Sequence, residues 1–449
     1  MILNNPVRDA RLHPVRSVPL AFLAVILLGA GLLVLPLSRT APEQEALLPA
    51  LFTSVSAVCV TGLITVDTAT YWTPFGQGVI LGLIQVGGFG IMTLATLLAL
   101  MVRKTIGLRG QLVAQSETST LNFGDVRVVV FRVARIMVVF EAVTAAILTA
   151  HFWLAYDDNP ATALWHGIFH AISAFNNAGF ALYSDSLISY AGDPWIIIPL
   201  CAAVVAGGLG FPVLIALLKG GVRLKDWAVH LRLTVYGTVL LLVAGFALFA
   251  AFEGNREQTL GPMPVGGKLL ATLAGAVFPR TAGFNSIDYA AASPETLMTT
   301  DILMFIGGGS AGTAGGIKIT TFLVLGFAIW NEIRGRDQVT IAHRSISSSV
   351  QRQALSVALL GVASVIIGTL LLLMFTDHSL DKVLFELISA FATVGVSTGI
   401  TYDLAPNAQW VLMVLMFTGR LGTITVASAL ALSTRPRLYR LPEERPIIG

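Results

Sequence analysis

The sequence predicts an all-α integral membrane protein made of four tandem units. Each unit is a span, a short re-entrant helix and a second span (M1-P-M2), arranged about one pseudo-fourfold axis. Three observations predict this fold. Of 449 residues, 55% are hydrophobic and only 12% charged, about half the charge of an ordinary soluble domain, leaving more apolar surface than a globule can hide from water. Long apolar runs alternate with short ones along the chain. Four glycine turns follow the short runs at a period of about 110 residues, as expected of one unit repeated.

Residues 1–17 carry Arg8, Arg11 and Arg16, and the run 18–37 has spanning length with no Ala-x-Ala cleavage site. It therefore reads as a retained helix whose N-terminus faces the cytoplasm. Further long runs at 75–102, 128–154, 194–218, 231–252, 297–330, 353–376 and 408–432 bring the expectation to eight spans. The runs at 47–60, 163–176, 267–279 and 380–394 fall short of the roughly 20 residues a spanning helix needs. They read as re-entrant segments, which are tolerated at membrane depth only where protein or water surrounds them. The units are 18–127, 128–230, 231–350 and 351–432, followed by a cytoplasmic tail, 433–449.

Charge supports the topology. Arg103, Lys104, Arg109 and Arg127 fall in one connection, Lys219, Arg223, Lys225 and Arg232 in the next, and Arg334, Arg336, Arg344 and Arg352 in the third; the tail carries Arg435, Arg437, Arg440 and Arg445. On the other side, Asp157, Asp158, Asp185 and Asp193 share a loop without Lys or Arg. This positive-inside pattern places both termini in the cytoplasm of a bacterial-type, multi-pass cell-membrane protein. The connections and tail are too short for a regulatory domain, so ligand sensing is expected on a separate chain.

Other classes find little support. With 28 basic and 25 acidic residues the net charge is +3, which argues against a nucleic-acid partner. Cys59 and Cys201 lie in apolar runs and suggest neither a disulfide framework nor a zinc cluster. His-Glu-x-x-His does not occur, and the Gly-x-Ser-x-Gly spacing of Gly308, Ser310 and Gly312 falls in a glycine run inside a span rather than on a strand-to-helix turn, so an enzyme is not expected. Gly315-Gly316-Ile317-Lys318 lacks the order of a phosphate-binding loop and lies inside a span.

The glycine turns centre on Gly62, Gly179, Gly283 and Gly395. Ser-Ala precedes three of them at one offset (Ser56-Ala57, Ser173-Ala174, Ser389-Ala390), and Phe52, Phe169 and Phe385 stand ten residues before the same three. The third unit departs, with Val277-Phe278 and Leu273 at those places. A dehydrated monovalent cation needs a ring of oxygens in place of its water, which backbone carbonyls can supply. Turning carbonyls inward forces some residues to positive φ, which glycine adopts at little cost. Candidate carbonyl donors are Val60, Thr61 and Gly62; Asn177, Ala178 and Gly179; Thr281, Ala282 and Gly283; and Thr393, Val394 and Gly395.

Cys-Val-Thr-Gly-Leu, Phe-Asn-Asn-Ala-Gly-Phe, Phe-Pro-Arg-Thr-Ala-Gly-Phe-Asn and Ala-Thr-Val-Gly-Val resemble the four filter loops of the Trk/Ktr/HKT potassium transporters. The similarity covers nearly the whole chain and looks most like the Ktr-type membrane subunit. It implies a homodimer with one pore per protomer, potassium in the filter, and a cytosolic ring of nucleotide-binding RCK subunits that carries the regulatory nucleotide. In plant relatives, serine at the first filter glycine goes with sodium selectivity; Gly62 here implies potassium. Sodium activation stays open.

In the third unit the second span is interrupted by Gly307-Gly308-Gly309-Ser310-Ala311-Gly312-Thr313-Ala314-Gly315-Gly316. Glycine disfavours helix by about 1 kcal/mol relative to alanine, so the span should break into halves here. In Ktr-type proteins the similar segment is an intramembrane gating loop. Arg420, deep in the last run, is costly there unless paired or hydrated, and is expected to face the pore near this loop. Lys318 either contacts the loop or reaches the interface. Glu141 lies mid-span with no partner legible, while His166 and His170 have a possible metal spacing without a third ligand and read as interface residues. A cation secondary transporter coupled to sodium or protons is the alternative function, because broken helices also mark carriers.

Overall fold

Prolines fix where many of the helices start. The computed structural model describes residues 14–104 and 126–422, apart from 42, 44, 157–158, 219–226, 337 and 342–343. The first unit comprises α1 (Pro14–Val34), α2 (Leu47–Val58) and α3 (Pro74–Lys104), and the second α4 (Val126–Ala155), α5 (Pro160–Phe175), α6 (Pro194–Leu209) and α7 (Phe211–Leu218). The third holds α8 (Val229–Glu253), α9 (Val265–Val277), α10 (Pro294–Phe305) and α11 (Ile319–Ile333); the fourth holds α12 (Ser348–Leu373), α13 (Leu380–Phe391) and α14 (Pro406–Leu421). Proline at the first helical position has no N–H to leave unpaired, and the preceding residue caps the next free donor. Asn159 Oδ1 accepts from Ala161 N at 2.9 Å, Asp193 Oδ1 from Trp195 N at 2.9 Å, and Ser293 Oγ from Thr296 N at 3.2 Å.

Among the described residues, three helices are long and apolar enough to cross a bilayer, within 130–155, 229–253 and 348–373. The pair α6 and α7, bent by 111°, makes a fourth if taken as one span. The run 75–102 forms one helix, α3, of 31 residues, and the remaining expected spans are shortened for visible reasons. The described apolar part of α1, Val18–Val34, is too short to count. The run 297–330 divides into α10 and α11 on either side of its glycines, and α14 stops at Leu421 before Gly422, whose φ is +83°. The basic clusters at 109, 219–225 and 435–445 and both terminal segments, 1–13 and 423–449, lie outside the described residues.

The run 194–218, expected as one span, is corrected to two helices. Gly210 breaks it at φ +90°, a conformation only glycine adopts freely, and Pro212 in the first turn of α7 suits a fresh helix start. A further departure is a short hairpin, β1 (Thr340–Ile341) with β2 (Arg344–Ser345), whose buried Ile341 packs with Leu233, Val324 and Ala354.

Large apolar side chains point outward as well as inward. Leu28, Phe131, Leu154, Ile333 and Met374 are each at least 65% exposed, a surface suited to lipid. Inside, Phe52, Phe169 and Phe385 on the short helices are fully buried. The last carbonyls of a helix lack intrahelical partners, and at three short-helix ends a long helix presses a glycine onto them. A β-carbon on Gly87, Gly207 or Gly419 would lie 2.1, 1.9 or 1.8 Å from the carbonyl oxygen of Val58, Phe175 or Phe391 respectively.

These contacts make a prediction. Gly419→Ala is expected to leave the protein poorly folded, whereas Gly82→Ala, with nothing within 4 Å of its β-carbon, should gain up to about 1 kcal/mol from helix propensity. Thermal unfolding of the detergent-purified protein, followed by size-exclusion recovery, distinguishes the two.

Candidate functional site

The short helices α2, α5, α9 and α13 all lead into loops with the same backbone. In each, the residue two before the glycine and the glycine itself have positive φ: Val60 and Gly62 (54° and 97°), Asn177 and Gly179 (59° and 70°), Thr281 and Gly283 (75° and 79°), Thr393 and Gly395 (49° and 99°). This is the left-handed region, which glycine enters at little cost. Three β-branched residues and an asparagine share it, at about 1 kcal/mol or more each, and such strain persists only where the surroundings over-determine it.

The loops meet one another in chain order. A β-carbon on Gly62 would lie 2.4 Å from Ala178 O, on Gly179 2.6 Å from Gly283 Cα, on Gly283 2.3 Å from Val394 O, and on Gly395 2.1 Å from Thr61 O. The ring thus closes from the fourth loop back to the first. All four glycines line one cavity of about 160 Å³, which continues past Asp185, Asp288 and Tyr402. Partial burial, and after it the negative charges of Asp67 and Glu386, push the Tyr402 phenol up to about 12. Two carboxylates, Asp185 and Asp288, line the vestibule above the ring.

Side chains of the short helices hold the loops. Ser56 Oγ accepts from Gly62 N and Ser389 Oγ from Gly395 N, both at 3.0 Å, while Ser173 Oγ donates to Phe180 O at 2.8 Å. A second tier stands nine residues before the glycine and grips the amide three residues after it. There His170 Nε2 accepts from Leu182 N at 3.3 Å, its Nδ1 being bonded to His166 O at 2.8 Å. At the same place Glu386 accepts from Thr398 N at 2.8 Å and also from Ser397, Thr398 and Thr401 hydroxyls. His170 is fully buried and engaged with backbone at both nitrogens, so the interface reading for it is corrected; His166 bonds Tyr183 Oη at 2.9 Å. No group of three potential metal ligands occurs among the described residues.

The segment 307–316 lies against the ring from below. Because α6 ends at Leu209, the carbonyls of Gly207 and Gly208 are free, and they accept from Thr313 N at 3.1 Å and Gly309 N at 2.8 Å. Phe211 N donates to Ala311 O at 3.1 Å. The glycines serve mainly this close backbone packing: β-carbons on Gly308, Gly309 and Gly315 would lie 2.5 Å from Gly208 O, 2.2 Å from Leu209 O and 1.9 Å from Thr393 Oγ1. Positive φ in the segment is confined to Ala311 and Gly316.

Thr313 is the hub of this docking. Its hydroxyl is 3.0 Å from Asn177 Oδ1 and 3.3 Å from Phe175 O, and its carbonyl accepts from Arg420 Nη1. The Asn177 side chain fits better with its amide turned over, which keeps it bonded to both Thr313 and Thr281. Ser310 Oγ pairs with Thr320 Oγ1 at 3.1 Å, and Lys318 Nζ donates to Ala314 O, so Lys318 contacts the segment. Arg420, read as mid-span, sits in the last turn of α14 and is buried there. Glu141 is bonded by Gln85 Nε2 and Asn176 Nδ2, each at 3.0 Å, two amides rather than a base.

A family model described as a cation transport protein, TrkH, matches residues 22–435. The chain belongs to the TrkH family of cation transport proteins. It is 37% identical to the Ktr system potassium uptake protein B of Bacillus subtilis (strain 168), over 99% of this chain and 98% of the relative. Identity to the protein of that name from Vibrio alginolyticus is 35%, over 97% and 94%, and to the potassium/sodium uptake protein NtpJ of Enterococcus hirae 34%, over the full length of both. The crystal structure of the potassium transporter TrkH from Vibrio parahaemolyticus shares the fold, with a TM-score of 0.71 at 20% identity, over 95% of this chain and 87% of that one.

Several residues of the site escaped the sequence reading. Glu386 and His170 share one offset from their glycines, but their different chemistries hid the equivalence. The Gly210 break was signalled by Gly207-Gly208-Leu209-Gly210 followed by Phe211-Pro212. Glu386→Gln replaces a charged acceptor of hydroxyl and amide hydrogens with a neutral one. It is expected to cost about 2 kcal/mol, measured as a lowered unfolding midpoint, with the overall fold retained.

Proposed function

We propose that this chain is the potassium-translocating membrane subunit of a Ktr-type uptake system, working as a gated, channel-like conduit. Four M1-P-M2 units would surround one pore. The filter would be formed by carbonyls of Val60 to Gly62, Asn177 to Gly179, Thr281 to Gly283 and Thr393 to Gly395. The observation that carries this reading is the closed ring of four loops with alternating left-handed backbone beneath a shared cavity. Such alternation turns successive peptide groups to one side, where carbonyls can replace the hydration shell of a cation. The vestibule carboxylates would raise the local cation concentration, and the membrane potential would supply about 2.3 kcal/mol per charge per 100 mV.

The segment 307–316 would be the gate. Docked by Thr313 and Arg420 directly under the ring, it is placed to occlude the path, and its backbone bonds to Gly207 and Gly208 can exchange without moving a hydrophobic core. Arg420 and Lys318 add positive charge on the cation's way. The names of the relatives as components of Ktr systems support an assembly of several chains, here a homodimer on a cytosolic nucleotide-binding RCK ring, with both termini cytoplasmic.

Flux of rubidium and of sodium into liposomes under an imposed potential tests the proposal. The wild type should pass rubidium in preference to sodium. Gly62→Ser, whose β-carbon would press on Ala178 O, should lose that preference. Selectivity unchanged by Gly62→Ser would remove the ring from the mechanism and favour a secondary transporter. Arg420→Ala, which frees the Thr313 carbonyl, should raise the flux of the chain without its partner.

A further inference from the structure

The third loop is held differently from the other three. Val277 stands where Ser56, Ser173 and Ser389 bond their loops, so it offers no side-chain bond, and Gly283 N and Ala282 N both turn to Phe278 O, at 3.3 and 2.9 Å. In its place the loop has Arg280, three residues before the glycine, where the other units have Cys59, Asn176 and Ala392. Arg280 is buried, and its guanidinium donates to Gly307 O at 3.3 Å and to Thr238 O on α8 at 3.4 Å. Both acceptors are backbone carbonyls, and its Nε has no partner. Gly307 is the first residue of the glycine segment, and Arg280 shares a small cavity with Gly208 and Gly308, the backbone on which that segment docks.

We propose that Arg280 is a positioning residue that ties the third filter loop to the gate, so that displacing the segment 307–316 changes the shape of the filter as well as clearing the path. The inference rests on the filter and gate reading above. A buried guanidinium keeps its carbonyl acceptors because losing them would strand a charge without hydrogen bonds. When Gly307 moves, Arg280 must follow it or find another acceptor, and either event shifts the backbone around Thr281. The loops held by Ser56 and Ser389 are clamped by serines of their own short helices, and the fourth meets the segment by packing of Gly315 on Thr393 rather than by a buried charge.

The test is a double-mutant cycle read as binding, which does not depend on an open gate. Radioactive rubidium bound to the purified full-length protein is displaced by potassium or by sodium. The readout is the ratio of the two competing affinities in the wild type, Arg420→Ala, Arg280→Gln and the double variant. Arg420→Ala frees the Thr313 carbonyl without removing a bond to a filter loop; it loosens the gate and should narrow the preference for potassium about fivefold or more, a coupling of ordinary size. Arg280→Gln should narrow it by itself, and Arg420→Ala should then add little. Factors that multiply, or an unchanged preference in Arg280→Gln, would overturn the tether. If Arg280→Gln does not purify as a single species, Arg280→Lys, which keeps the charge but loses the two-donor fork, enters the same cycle with the same expectation. A wild type without preference for potassium overturns the filter reading itself, which separates that failure from failure of the tether.

Discussion

The architecture depends on one constraint: four short helices must end at a common point and leave their loops in strained backbone. Val60, Thr281 and Thr393 would not adopt left-handed φ alone. They are held there by the neighbouring loop, which leaves no room for a β-carbon on the next glycine. Much of the rest serves this ring. Fully buried phenylalanines anchor the short helices, glycines of the long helices close onto the short-helix ends, and Ser56, Ser389, His170 and Glu386 fix the amides on either side of the strain. Rigidity is concentrated where a cation would be discriminated from one slightly smaller.

The segment 307–316 follows the opposite design. It docks largely through backbone hydrogen bonds to a helix that Gly210 has broken open, fastened by side chains at Thr313, Ser310, Lys318, Arg280 and Arg420. A helix terminus supplies free carbonyls, and the segment supplies the amides. Such bonds exchange readily for one another or for water. Thr313 and Arg420 give the docked state its register, one through Asn177 at the ring and the other through the end of α14.

Much of this was legible in the sequence. The positions of α2, α5, α9 and α13 followed from run length, and the glycines at matching points in the four units gave the ring. What the residues alone could not give was where pairs meet across units. Arg420 looked central because apolar residues continue beyond it, yet the helix ends one residue later. Glu141 had no visible partner because its partners are the amides of Gln85 and Asn176 on two other helices. The glycines of 307–316 suggested flexibility, whereas their commoner role is to let two backbones touch. The bend at Gly210 was hidden because hydropathy does not register a change of direction.

The central claim is that the ring of Gly62, Gly179, Gly283 and Gly395 holds a dehydrated monovalent cation. Anomalous scattering from crystals grown with thallium or rubidium in place of potassium tests it most directly. The account predicts peaks on the axis level with the carbonyls of these four loops, weakened when sodium replaces the heavier ion. Peaks confined to the vestibule near Asp185 and Asp288, with none between the loops, would contradict it.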